Sequence, residues 1–219
     1  MTDTLPQDAA QFWYPSPALV NLAIDMAHGL VVDLCPGDFP FPWAGAVQCG
    51  WGADDTDITK DRLPFDDQSV DFLYCRHTLE DLLDPAWALG EIARVAKSGW
   101  IETPSAFAEC CRSVDGGRPP WRGYMHHRSI FWIEGDTLMT CAKYPLIEHI
   151  KFDGCNLAGL LSHPHAWSCV YTFDNGRFKW KQIRHEVDYR LPDDYPEVLA
   201  RAIGLNEKAP EKSRSASEG

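Results

Sequence analysis

The sequence predicts an α/β fold: a mostly parallel sheet flanked by helices, with an additional antiparallel β-hairpin region in the C-terminal half. Three observations predict it. Residues 70–102 run strand, helix, strand, the order of one crossover in a parallel sheet. Residues 30–34 form a short apolar run with Val31-Val32 at its centre, ending in the structure-breaking Cys35-Pro36-Gly37-Asp38, as a buried parallel strand does. After Pro104 the helical signals give way to short apolar runs separated by turn residues.

Taken in order, Ser16-Pro17 opens a helix, with serine at the cap and proline at the first helical position. It runs through Leu19, Leu22, Ala23 and Met26 and stops near Gly29. The strand at 30–34 follows. Residues 39–43, punctuated by Pro40 and Pro42, read as loop, and 46–49 as a weak second strand. Strands at 70–75 and 100–102 bracket a helix opened by Asp84-Pro85, whose sheet-facing stripe is Leu89, Ile92, Ala93 and Ala96. Gly116-Gly117, Pro119-Pro120 and Gly123 mark a long loop that ends at Tyr124. Residues 130–133 and 137–141 flank Glu134-Gly135-Asp136 as a hairpin. Residues 167–173 and 177–183 flank Asp174-Asn175-Gly176, a stronger hairpin signal because Asn-Gly favours a tight primed turn. Residues 196–203 suit a short terminal helix, and the polar stretch 205–219 reads as a disordered tail. The whole is expected to be one domain over 1–204, with a core over 17–150 and an antiparallel extension over about 124–185.

A length of 219 residues is enough for a real core, and 45% hydrophobic with 24% charged residues is ordinary for a globular chain. The net charge of −12 argues against a phosphate-binding face, so nucleic acid is not the expected partner. There is no apolar stretch of about 18 residues to span a membrane. The first residues show no basic region followed by an apolar run, so a cytoplasmic location is expected. Eight cysteines without a C-x-x-C pair read as reduced, mostly buried thiols. Trp121, Trp132, Trp167 and Trp180 crowd the second half. An aromatic core is the expectation, and a pocket for an apolar or sugar-like ligand is the alternative.

The segment that opens Asp57-Ile58, continues through Leu63-Pro64-Phe65 to the strand at 70–75, and then writes H-T-L-E-D at 77–81 and Asp84-Pro85 resembles a family. Its pattern is similar to the middle of class I S-adenosylmethionine-dependent methyltransferases with a type 11 methyltransferase domain. The resemblance covers about residues 30–104 and runs more faintly to Glu148. It implies a Rossmann-like fold, S-adenosylmethionine as cofactor, and methyl transfer to a small-molecule acceptor, for instance a sugar derivative or metabolite. It also implies the site residues. Asp33, Cys35 and Gly37 fall on the cofactor turn, which the family writes D-x-G-x-G. Cys35 stands at the first glycine position, and 37–44 matches a G-x-x-P-F-P-x-A continuation found in some members. Asp54 or Asp55 could supply the ribose carboxylate, with Trp51 stacking on adenine as the alternative. Asp57 and Ile58 match the acidic-apolar pair at the adenine. Arg76 and His77 follow the strand at the carboxyl edge, where His77 is either a pocket residue or a general base. Trp100-Ile101-Glu102-Thr103-Pro104 aligns with Y-I-E-T-P in similar members, which places His127-Arg128 on a basic pair, as base and anion ligand on the acceptor side.

No metal is expected. His163-Pro164-His165, with His126 and His127 elsewhere, lacks the carboxylate or thiolate to complete a ligand set. Cys110-Cys111 has no matched base and reads as buried helix. Two rivals stand beside methyl transfer. One is an inactive methyltransferase-fold protein acting through a protein partner. The other is a non-methylating enzyme that reuses His77, His127 and Arg128 for hydrolysis or isomerisation. The oligomeric state and the acceptor are not written in the residues.

Overall fold

The computed structural model describes residues 15–115, 121–162, 166–185, 190–191 and 193–206. The tail from 207 and the His163-Pro164-His165 triplet lie outside them, as do 116–120 of the long loop. Helix α1 (Pro17–Met26) leads into β1 (Val31–Leu34), β2 (Val47–Cys49) and β3 (Phe72–Arg76). A 3-10 turn (Leu79–Asp81), α2 (Ala86–Val95) and β4 (Gly99–Pro104) complete the crossover. Then come α3 (Ala106–Cys110), β5 (Ser129–Glu134), β6 (Thr137–Ala142), α4 (Leu157–Ser162), β7 (Ser168–Phe173), β8 (Trp180–Ile183) and α5 (Tyr195–Asn206).

The main sheet has the order β2-β1-β3-β4-β7. Its first four strands are parallel, and β7 runs antiparallel to β4. The strands expected at 30–34 and 70–75 form, and as β1 and β3 they pair at the centre, Val31 opposite Phe72 through Leu34 opposite Cys75. Side chains alternate between the two faces, as strand geometry requires. Val32, Leu34, Leu73, Cys75 and Ile101 point to one face, where Leu89, Ile92 and Val95 of α2 cover them. Val31, Phe72, Tyr74 and Trp100 point to the other, against Ala23 and Ala27 of the α1 region.

On that second face a loop takes the place of a helix. Pro36, Pro40 and Pro42 withhold backbone donors over 36–42 and prevent a helix from propagating between β1 and β2. The loop covers the sheet with aromatic bulk instead. Phe41 is buried, stacks on Tyr74 with ring centroids 4.2 Å apart, and joins the same cluster as Trp43. Its backbone is anchored by Asp33, whose Oδ2 accepts from the Phe41 N–H at 2.7 Å.

The second sheet has the order β5-β6-β8. β5 and β6 form the predicted antiparallel hairpin through Gly135. Phe131 and Leu138 reach the core beneath the main sheet, while Ile130, Trp132, Met139 and Cys141 pack with α3 and α5. The second predicted hairpin does not form. Its turn exists: Asn175 and Gly176 both have positive φ, and the Arg177 N–H donates to the Asp174 carbonyl at 2.9 Å. The flanking strands nevertheless separate, β7 joining β4 and β8 running parallel to β6. The Gly176 N–H donates to the Lys97 carbonyl, and the Lys179 carbonyl accepts from Leu138, so outside partners take the groups a hairpin would pair internally.

All eight cysteines are free and buried. Trp132 and Trp167 are core residues, whereas Trp121 is exposed. α5 extends to Asn206, two residues into the stretch read as tail. No helix among the described residues is long and apolar enough to cross a membrane.

If Phe41 takes over the covering role of a helix, Phe41→Ala should cost about 3–5 kcal/mol, the usual range for a buried phenylalanine. Urea denaturation should show a lower midpoint at unchanged m. A loss below about 1 kcal/mol would show that the loop is not part of the core.

Candidate functional site at the carboxyl edge of the sheet

The loops that leave β1 and β3 diverge at their carboxyl ends, because β2 lies on one side of β1 and β3 on the other. Such a reversal in strand order opens a crevice. Here it holds a cavity of about 220 Å³ lined by four segments: the β1 end (Asp33, Cys35, Gly37), Trp51 after β2, the β3 end (Arg76, His77) with Glu80 and Asp81, and Tyr124, His126 and His127.

At the β1 end, Asp33 is 1% exposed and has the Phe41 N–H as its backbone partner. Burial raises its pKa to about 6 against the smaller lowering effect of that hydrogen bond. Cys35 adopts φ 56°, a left-handed conformation that costs an L-residue about 1–2 kcal/mol, at the position the family gives to glycine. Burial pushes its thiol up to about 11, so it is no thiolate nucleophile. Gly37, at φ 53°, lies under the ring of Trp51; a Cβ there would come within 3.2 Å of the indole. Trp51 itself is 74% exposed, an uncovered aromatic face on the cavity rim.

At the β3 end, Arg76 turns its Nε toward Glu102 at 3.7 Å, and this atom has no hydrogen-bond partner among the described residues. His77 sits at φ 49°, directly after the strand. Its N–H donates to the Glu102 carbonyl, its Nδ1 is 3.0 Å from Glu80 Oε1, and its Nε2 is 3.8 Å from Glu102 Oε1. Backbone strain at the end of a central strand is a common mark of a functional position. Glu80 is 1% exposed, and its second oxygen, Oε2, has no partner among the described residues.

His127 is buried on the cavity wall. Its Nδ1 meets Glu109 Oε1 at 2.6 Å, and Lys143 binds the other oxygen of Glu109 at 2.5 Å. Burial alone would lower the imidazole's pKa; Glu109, with Glu80 and Asp81, outweighs that and raises it. Burial would likewise raise Glu109, but Lys143 and His127 hold it well below the carboxylate range. The Nε2 atoms of His127 and His126 stand 3.8 and 3.7 Å from Asp81 Oδ1.

The cavity thus gathers Asp33, Cys35, Gly37, Arg76, His77 and His127 of the predicted residues, and leaves the other four off its wall. Asp55 is exposed. Asp57 is committed to its own turn: Lys60 at 2.8 Å, with the Thr59 hydroxyl and N–H, holds its pKa down to about 2. Ile58 is buried against Cys35 and Cys49 in the core. Arg128 is exposed; its guanidinium donates to the Met125 carbonyl, and its backbone N–H donates to the Glu80 carbonyl at 2.6 Å. Sequence reasoning assigned no role to Glu80, Asp81 or Glu109. The first two were visible in H-T-L-E-D, but nothing in the sequence marks Glu109.

The sheet order and the crevice at the ends of two adjacent strands define a Rossmann-like α/β protein with a cavity at its switch point. Residues 46–101, the stretch from β2 into β4, match the family model described as a methyltransferase domain. The match starts beyond the loop that departs from the glycine-rich pattern. No curated protein matches the chain. Among solved structures, it is similar to a chain in the complex between the Haloferax volcanii Trm112 methyltransferase activator and a candidate methyltransferase. Identity is 18%, coverage is 46% of this chain and 62% of that one, and the TM-score is 0.26, a likeness too loose to bear on fold or partner.

The raised pKa of Asp33 has a definite sign. Between its ordinary value of 3.8 and about 6 the folded state binds more protons than the unfolded one, so stability falls as pH rises through that window and then levels off. Asn at this position can still accept from Phe41 but does not titrate. The urea midpoint of Asp33→Asn relative to the native chain should therefore rise from pH 4 to 6.5. A pH-independent difference would refute the assignment.

Proposed function

We propose that the protein transfers a methyl group from S-adenosylmethionine to a small-molecule acceptor bound in the same cavity. The observation that carries this reading is the convergence of the β1 turn, the β3 end and the 124–127 segment on one crevice, inside a chain whose residues 46–101 match a methyltransferase domain. The residues present fit the cofactor. Asp33 and Asp38 line the β1 end of the cavity with carboxyl groups suited to a sulfonium and an ammonium cation. Arg76, paired with Glu102 through its Nε, brings a guanidinium to the cavity wall that suits a carboxylate. Gly37 and Gly52 let two backbone turns approach closely, a Cβ on Gly52 coming within 3.0 Å of the Gly37 nitrogen. The exposed face of Trp51 suits a purine.

When bound, S-adenosylmethionine supplies an electrophilic methyl group, and the protein's part is positioning and proton removal. His77 takes the acceptor's proton: it is fixed by Glu80 at Nδ1 and lines the cavity. His127, locked by Glu109, lines the same cavity and positions the acceptor. Arg128 contributes through its backbone, which holds the turn bearing Glu80.

Isothermal titration with S-adenosylmethionine and S-adenosylhomocysteine tests the reading. Micromolar binding is expected. Trp51→Ala should weaken it at least about tenfold, or about 1.4 kcal/mol, while Asp57→Asn leaves it unchanged. Silence from both ligands at millimolar concentration would end the reading.

A further inference from the structure

We propose that Asp81, His126 and His127 form a binding site for a divalent first-row transition metal, Zn(II) foremost, on the acceptor side of the cavity. One ligand atom from each residue lies within 4.8 Å of the others. The two measured edges, 3.7 Å from Asp81 Oδ1 to His126 Nε2 and 3.8 Å to His127 Nε2, are close to what a cation needs. Around a tetrahedral centre with bonds of about 2.0–2.1 Å, neighbouring ligand atoms lie about 3.4 Å apart, so contraction by a few tenths of an ångström brings both imidazoles to that spacing from Asp81, and the exposed His126 side chain is free to adjust the third edge.

The support behind these ligands is already built. Nδ1–H of His127 donates to the buried Glu109, which fixes the tautomer and leaves the Nε2 lone pair directed toward Asp81. That carboxylate–imidazole pairing is how metal-binding histidines are oriented. Lys143 occupies the other oxygen of Glu109, so Glu109 serves as support and Asp81 as ligand. An independent observation calls for a cation at this place. Glu80, next to Asp81 in the same 3-10 turn, lines the cavity and is 1% exposed, and its buried Oε2 has no hydrogen-bond partner among the described residues. Two imidazoles and one carboxylate favour Zn(II), Co(II) or Fe(II) over Mg(II) or Ca(II), which prefer all-oxygen sets. Three protein ligands leave positions open toward the cavity, and their chemistry suits a hydroxyl or anionic oxygen of a bound small molecule.

Metal binding at these residues does not depend on the methyl-transfer reading, and the test separates the two. The full chain, stripped with EDTA, is titrated with CoCl2 under d–d absorption and with ZnCl2 by calorimetry. S-adenosylhomocysteine is titrated separately into the same metal-free protein. A single equivalent of Co(II) with a d–d band but no thiolate charge-transfer band is expected, displaced by Zn(II). His126→Ala, an exposed position whose folding is checked by thermal unfolding, should weaken binding at least tenfold, and Asp81→Asn should do the same. Glu109→Gln should weaken it about 10–100-fold without touching a ligand atom. Absence of binding to the native chain overturns the proposal. So does undiminished binding to the folded His126→Ala/Asp81→Asn double variant, which would place the metal on thiols elsewhere.

Discussion

Pairing β1 with β3 at the centre of a parallel sheet buries both strands on both faces, and every other feature of the molecule answers to that burial. Parallel sheets are stable only when each face is covered. α2 covers one face with an ordinary helical stripe. The other is shared between α1 and a proline-punctuated loop, whose Phe41 is held in place by the same Asp33 that opens the cavity. A helix after β1 would have brought glycines and backbone donors to the crevice. The loop brings instead a left-handed Cys35 and Gly37, over which the turn after β2 sets the rim indole of Trp51. Covering the sheet and shaping the site are here one structural solution.

The electrostatics of the crevice follow from how few cations reach it. Four carboxyl groups, Asp33, Glu80, Glu102 and Glu109, are almost completely buried around it. Glu109 is compensated by Lys143 and His127. Glu102 faces Arg76 and accepts from the Ser168 hydroxyl. Asp33 has the Phe41 N–H, too little to keep it ionised at mildly acidic pH. Glu80 has His77 on one oxygen and nothing among the described residues on the other. Buried negative charge without a partner is costly, so the cavity is set up to favour positively charged occupants. A cofactor with cationic groups and a divalent metal would relieve that imbalance at different walls.

The core of the fold was legible in local chemistry. Val-Val runs bounded by breakers, the Asp84-Pro85 helix start and the period-two strands each encode a state that neighbouring residues suffice to select. The β3–β4 pairing follows from the sequential logic of a crossover, and the reversal of strand order sets β3 beside β1. The residues at the ends of those two strands, Asp33, Gly37, Arg76 and His77, were legible for the same reason: the carboxyl edge is where any ligand of such a sheet must sit.

Long-range competition was not legible. Asp174-Asn175-Gly176 makes the turn its residues favour. Whether the flanking strands then pair with each other or with β4 and β6 depends on which edges stand free, and that is a property of the assembled sheets. Asp57 matches a motif, yet its carboxylate is taken by Thr59 and Lys60, because a short acidic turn satisfies itself before it can reach a cavity. The gathering of His126 and His127 against Asp81, with Glu109 and Lys143 behind them, rests on contacts between residues 18 to 46 positions apart in the chain. No local pattern encodes that meeting. It arises because β5 packs beside the Leu79–Asp81 turn and α3, and the buried Glu109 must find its cations there or lose the free energy of its own desolvation.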